Sequence, residues 1–63
     1  MAKYRLFCVN PGLSYMVPVQ DFEASTEIEA ELLAEVLRKD RAAELWRSYR
    51  IVRRWAANTA NPS

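Results

Sequence analysis

The sequence predicts a small α+β domain, and three observations carry that prediction. An aromatic and β-branched run is broken by Asn10, Pro11 and Gly12, a helix-capping signature precedes an aliphatic repeat, and a second aromatic and β-branched run, WRSYRIVRRW, follows. The expected order is an N-terminal β-hairpin, one amphipathic helix and a third antiparallel strand, β-β-α-β. The rival order is β-β-α-α.

The first strand is expected in KYRLFCV, residues 3–9. In the turn that follows, Pro11 suits the second position and Gly12 supplies the positive φ that a type II turn needs at the third. LSYMVPVQ then alternates Leu13, Tyr15, Val17 and Val19 against Ser14, Met16, Pro18 and Gln20. This period of two puts the first set on the buried face. Pro18 cannot donate to a ladder, which assigns the strand to an edge or a bulge. Beyond Gln20 the buried parity passes to Phe22 and Ala24, so a bulge is expected between Pro18 and Asp21.

The helix is expected over 26–39. Thr26 and Glu29 form a T-x-x-E capping box, and Glu27 and Glu29 suit the positive end of the helix dipole. Ile28, Leu32, Leu33, Val36 and Leu37 share one stripe, which identifies them as the expected core-facing side. Arg38 and Lys39 close the far end, with Glu35 spaced to pair with Lys39. Glu27, Glu31 and Glu35 stand on successive turns and read as a solvated helix face.

Residues 45–55 fit either element. As a strand, they put Leu45, Arg47, Tyr49, Ile51, Arg53 and Trp55 on one face and Trp46, Ser48, Arg50, Val52 and Arg54 on the other. As a helix, they line up Leu45, Tyr49, Val52 and Ala56. Composition favours the strand, because Trp, Tyr, Ile and Val pack well on pleated surfaces, and a bare two-stranded sheet is marginal in water. The domain is expected to span 1–56, with 57–63 a flexible C-terminal tail.

Sixty-three residues make one domain with a thin core, and chains of this size often gain stability from a partner or a second copy. The lone Cys8 allows no intrachain disulfide and reads as a small buried hydrophobe. Histidine is absent, which removes the commonest general base and zinc ligand, and a single glycine leaves no Gly-rich phosphate loop. The expectation is a non-enzymatic protein with no cofactor and no metal, cytoplasmic, with no membrane association.

Net charge is only +1, but it is unevenly spread. Asp21 to Glu35 holds six acidic and no basic residues, whereas Arg38 to Arg54 holds seven basic residues against Asp40 and Glu44. Trp46, Arg47, Arg50, Arg53 and Arg54 are the candidate partner-binding residues, since Trp and Arg are favoured at protein interfaces. Arg50 and Arg54 stand out because the strand reading turns them away from the helix. The same arginines can pair with phosphates beside stacking aromatics, which gives a nucleic-acid-binding regulator as the alternative. Near-neutral total charge weighs against it. Met16, Pro18, Trp46 and Val52 are the candidate self-association residues, on a sheet face left open for a homodimer.

The join FEASTEIEAELLA, from strand through capping box into an Ala- and Glu-rich helix, and the later YRIV run resemble small phage proteins. Anti-CRISPR proteins of β-β-α-β order are among them. The resemblance covers residues 15–54 as a pattern. It implies a phage or mobile-element accessory protein that docks on a larger host complex and modulates it. A protein partner is therefore the leading expectation, with nucleic acid and a self-associating structural role as the alternatives.

Overall fold

The computed structural model describes residues 1–9, 12 and 14–57. These form β1 (Ala2–Val9), β2 (Met16–Ala24), α1 (Glu27–Arg38), β3 (Ala43–Arg47) and β4 (Arg50–Trp55). The strands make one antiparallel sheet in the order β2-β1-β3-β4, with α1 carrying the chain from the edge strand β2 across β1 to β3. The fold is α+β, as expected, but its order is β-β-α-β-β. The segment read as one strand is a hairpin, and the β-β-α-α rival is overturned. Asn10, Pro11, Leu13 and the expected tail residues 58–63 lie outside the described residues.

The N-terminal hairpin follows its sequence signals closely. Gly12 has φ +89°, the sign a type II turn requires at that position. The register steps from Leu6↔Gln20 to Phe7↔Pro18, which leaves Val19 as the extra residue of a bulge inside the expected interval. Pro18 lies on an edge strand, where its missing N–H costs no ladder bond. The buried parity also moves to Ala24, with Phe22 packed against the core. Tyr15 and Val19, expected to be buried, are exposed, because the strand begins only at Met16 and the bulge turns Val19 outward.

The capping box forms with one displacement. Thr26 Oγ1 accepts from the Glu29 N–H at 3.1 Å, and Glu29 Oε1 accepts from the Ser25 N–H at 2.8 Å, one residue before the cap. At the other end Lys39 and Asp40 both have positive φ. The Arg41 side chain donates to the last-turn carbonyls of Arg38 and Leu37, satisfying acceptors that the helix leaves open.

The core corrects the helix expectation. Tyr4, Leu6, Cys8, Ala24, Ala43, Leu45 and Trp55 meet Ala30 and Ala34 of α1. The small residues of the helix therefore face the sheet. Leu37 joins them, Leu33 stands at the margin, and Ile28, Leu32 and Val36 point outward with 72, 64 and 73% of their surface exposed. The physical reason lies in the glutamate row. Glu27, Glu31 and Glu35 repeat every four residues on one side of α1, and that side meets β4. Turning the aliphatic stripe inward would carry these carboxylates away from their partners.

Candidate functional site

Three glutamates on α1 clamp strand β4. Arg50 Nη2 donates to Glu27 Oε2 at 2.6 Å, Arg53 Nη1 to Glu31 Oε1 at 3.0 Å, and Trp55 Nε1 to Glu35 Oε2 at 2.9 Å. Glu35 also takes the Arg38 Nε at 3.3 Å rather than the expected Lys39. Arg38 is 8% exposed, and its Nη1 reaches the carbonyls of Arg41 and Ala56 at 2.8 and 3.5 Å, so this buried cation is hydrogen-bonded. The guanidinium carbons of Arg38 and Arg53 stand 5.4 and 5.2 Å from the Trp55 ring centroid. The indole N–H first, and then Arg38, hold the Glu35 carboxyl below the ordinary glutamate range.

The remaining arginines of the segment divide between the two sides of the sheet. Arg54 pairs with Glu44 Oε2 at 3.2 Å, and Trp46 Nε1 donates to the other oxygen of that carboxylate at 3.0 Å, which places these three on the face away from α1. Arg47 is exposed, with no ion-pair partner among the described residues. Its register partner is Arg50, and this like-charge pair is eased because Glu27 holds Arg50. Arg50 was expected on the far face but lies toward the helix.

The hairpin turn accounts for that change, and a bulge beyond it restores the expected sides of Arg53, Arg54 and Trp55. Ser48 and Tyr49 form the two-residue turn of the β3–β4 hairpin, with Ser48 at φ +56°. Between Leu45 and Trp46 the register then skips, with Leu45↔Arg53 followed by Trp46↔Ile51, so Val52 is a bulge residue. Of the four expected self-association residues, Met16, Pro18 and Trp46 lie on the open face, as the register dictates. Val52 instead packs against the core, and Ile51 takes the place beside Trp46.

The open face is built on β1 and β3, the two central strands. Phe7 and Trp46 meet edge to face at 6.3 Å between centroids, flanked by Val9, Met16, Pro18 and Ile51. Arg5 holds Asp21 through two bonds of 2.8 and 3.1 Å, and Lys3 stands opposite Glu23. The Arg5 guanidinium keeps the Asp21 carboxyl below the usual aspartate range. An open cavity of about 690 Å³ lies over Phe7, Trp46 and Tyr49, walled by Lys3, Arg5 and Asp21. Tyr49, at the hairpin turn, is 98% exposed.

Burial pushes the Cys8 thiol up, so at neutral pH it is protonated and has little nucleophilic character. Among the described residues no cluster of His, Cys, Asp or Glu is arranged to hold a metal ion, and no helix is long and apolar enough to cross a membrane. Two surfaces therefore stand out, the aliphatic stripe of α1 and the open aromatic face of the sheet, and the stripe is the one that sequence periodicity had assigned to the core. No family model, no curated protein and no solved structure matches this chain.

Proposed function

We propose that this chain is a small non-enzymatic binding module that docks a larger protein through the outward stripe of α1. The observation that carries this reading is the orientation of Ile28, Leu32 and Val36. Three large aliphatic side chains on successive turns are presented to solvent from a helix whose opposite side is anchored by alanines. Such a row at i, i+4 and i+8 is the form in which an amphipathic helix enters an apolar groove. The exposed Glu29 beside the stripe favours a groove with basic side chains on its rim.

A nucleic-acid role has less support. Arg50, Arg53 and Arg54 are engaged by Glu27, Glu31 and Glu44, so little uncompensated positive charge is left to neutralise phosphates. Arg47 and Trp46 remain available at the hairpin end as secondary contacts. An accessory role for a phage or mobile element, acting on a host complex in the cytoplasm, rests on the resemblance of residues 15–54. The fourth strand departs from that pattern, whereas the docking reading stands on the stripe alone.

The test is affinity capture from a bacterial lysate with three chains: wild type, an Ile28→Asp, Val36→Asp variant, and an Arg47→Glu, Arg54→Glu variant. A host protein retained by the first and third but lost by the second supports the reading. Equal capture by the helix variant would sink it. Retention on single-stranded or duplex DNA at about 50 mM salt that depends on Arg47 and Arg54 would favour the nucleic-acid role instead.

A further inference from the structure

We propose that two copies of this chain associate through the open face of the sheet, about a twofold axis, at a surface separate from the helix stripe. Three features of the face select a second copy as the occupant. The first is charge. Lys3, Arg5 and Arg54 are balanced on this face by Asp21, Glu23 and Glu44, and Arg5–Asp21 and Arg54–Glu44 are already ion-paired. A face that is neutral and internally paired gives a polyanion little to bind. It also does not repel its own copy, and the chain as a whole carries only +1.

The second is shape. A twofold contact uses the same patch on both partners, so the patch must carry both projection and recess. Tyr49 supplies the projection, and the cavity of about 690 Å³ beside Phe7 and Trp46 supplies the recess. Tyr49 stands on the rim of this cavity, so a twofold contact across the face brings each copy's Tyr49 against the other's recess, and aromatic anchors seated in pockets dominate interface energetics.

The third is area. Four strands about 4.8 Å apart and about 20 Å long present on the order of 400 Å² in projection. A twelve-residue helix about 18 Å long and 10 Å across presents under half of that. Side-chain relief adds to both figures, and only the sheet face approaches the roughly 800 Å² of accessible surface that each partner buries in a stable interface. Aliphatic and aromatic side chains (Val9, Met16, Pro18, Phe7, Trp46 and Ile51) supply the apolar centre such a contact needs.

Sedimentation of the full chain across the micromolar range tests the proposal, using wild type, Tyr49→Glu, Pro18→Glu and the Ile28→Asp, Val36→Asp variant. Tyr49 and Pro18 are exposed, so their variants are expected to fold, and circular dichroism melts check this. The expected result is a wild-type dimer whose dissociation constant rises at least about 30-fold in Tyr49→Glu and also rises in Pro18→Glu. The helix variant should dimerise like wild type, which keeps this test independent of docking by the stripe. A wild-type monomer at every concentration would overturn the proposal. So would a dimer lost in the helix variant but kept in Tyr49→Glu. Binding of a single-stranded oligonucleotide by a monomer, abolished in Tyr49→Glu, would assign the face to nucleic acid and overturn it as well.

Discussion

The two apolar sides of α1 differ in residue size, and the smaller residues are the ones inside. Ala30 and Ala34 are fully buried against Tyr4, Leu6 and Leu45, while Ile28, Leu32 and Val36 face out. The sheet already supplies the bulk of the core through Tyr4, Leu6, Leu45 and Trp55, and Arg38 fills the far end. What the helix must bring is a surface that lies close to that layer, and alanine does so without displacing it. Hydrophobicity alone does not decide which face of a helix is buried. The volume left by the opposing layer and the polar partners at the helix margin decide it together.

The largest expected effect comes from adding volume to the inner side. Ala34→Leu forces methylenes into a packed layer and should cost about 1–3 kcal/mol, read as a lower urea midpoint with unchanged slope. If Ala34→Leu were tolerated without loss, the helix would have to sit farther from the sheet than its burial indicates.

Next in size is the device that sets the rotation of the helix. Glu35→Ala removes the acceptor of the Trp55 indole N–H and one partner of Arg38. The carboxylate is partly exposed, which screens the interaction, so a loss of stability smaller than that of Ala34→Leu is expected, in spite of alanine's better helix propensity. The pH dependence gives a second readout. Because the folded state holds the Glu35 carboxyl below its ordinary range, its contribution is complete above that range and is lost as pH falls through the depressed value. Stability of the wild type should therefore fall more steeply on acidification than that of Glu35→Ala. Parallel slopes would mean that this carboxylate is not differentially stabilised in the folded state.

Much of this fold is legible in the sequence, and what is not legible has physical causes. The positive φ of Gly12, the edge proline, the Val19 bulge and the Thr26 cap are local signals, decided by a few neighbouring residues. The β3–β4 hairpin was not legible, because its turn uses Ser48 and Tyr49 where a Gly or Asn would have announced it. That turn pairs Arg50 with Arg47 and so reverses the expected sides of Arg50, Ile51 and Val52, while the Val52 bulge restores those of Arg53, Arg54 and Trp55. The helix face is not legible for a different reason. Its orientation depends on Arg50, Arg53 and Trp55, which are some twenty residues away in sequence. The candidate arginines were found as residues, but their engagement with the acidic helix is a tertiary fact.

The unusual turn yields a third, smaller effect of opposite sign. Ser48 has a positive φ at the first central position of a two-residue hairpin turn, where glycine carries no Cβ penalty. Ser48→Gly should stabilise by about 0.5–1 kcal/mol, raising Tm by a few degrees, after part of the relief is offset by glycine's greater unfolded entropy. A gain here reports that the hairpin holding Arg50 and Arg53 under the helix glutamates is formed at some cost. A loss would mean that the Ser48 side chain stabilises the turn by more than its backbone costs.

The smallest effect is expected on the outer side of α1, and it completes the comparison. Leu32→Gln replaces a side chain that is 64% exposed, near the middle of the helix, with a residue of similar helix propensity. Its cost to an isolated chain should lie within about 0.5 kcal/mol, against several times that for Ala34→Leu only two residues away. If Leu32→Gln proves as damaging as Ala34→Leu in a dilute sample, Leu32 is buried in solution and the helix is rotated from the position described. If it is silent in dilute chain but destabilising when a docking partner is present, the stripe contributes through contact with that partner. Ligand-linked stability then separates the two cases, since a partner bound only by the folded chain raises Tm for the wild type and not for the variant.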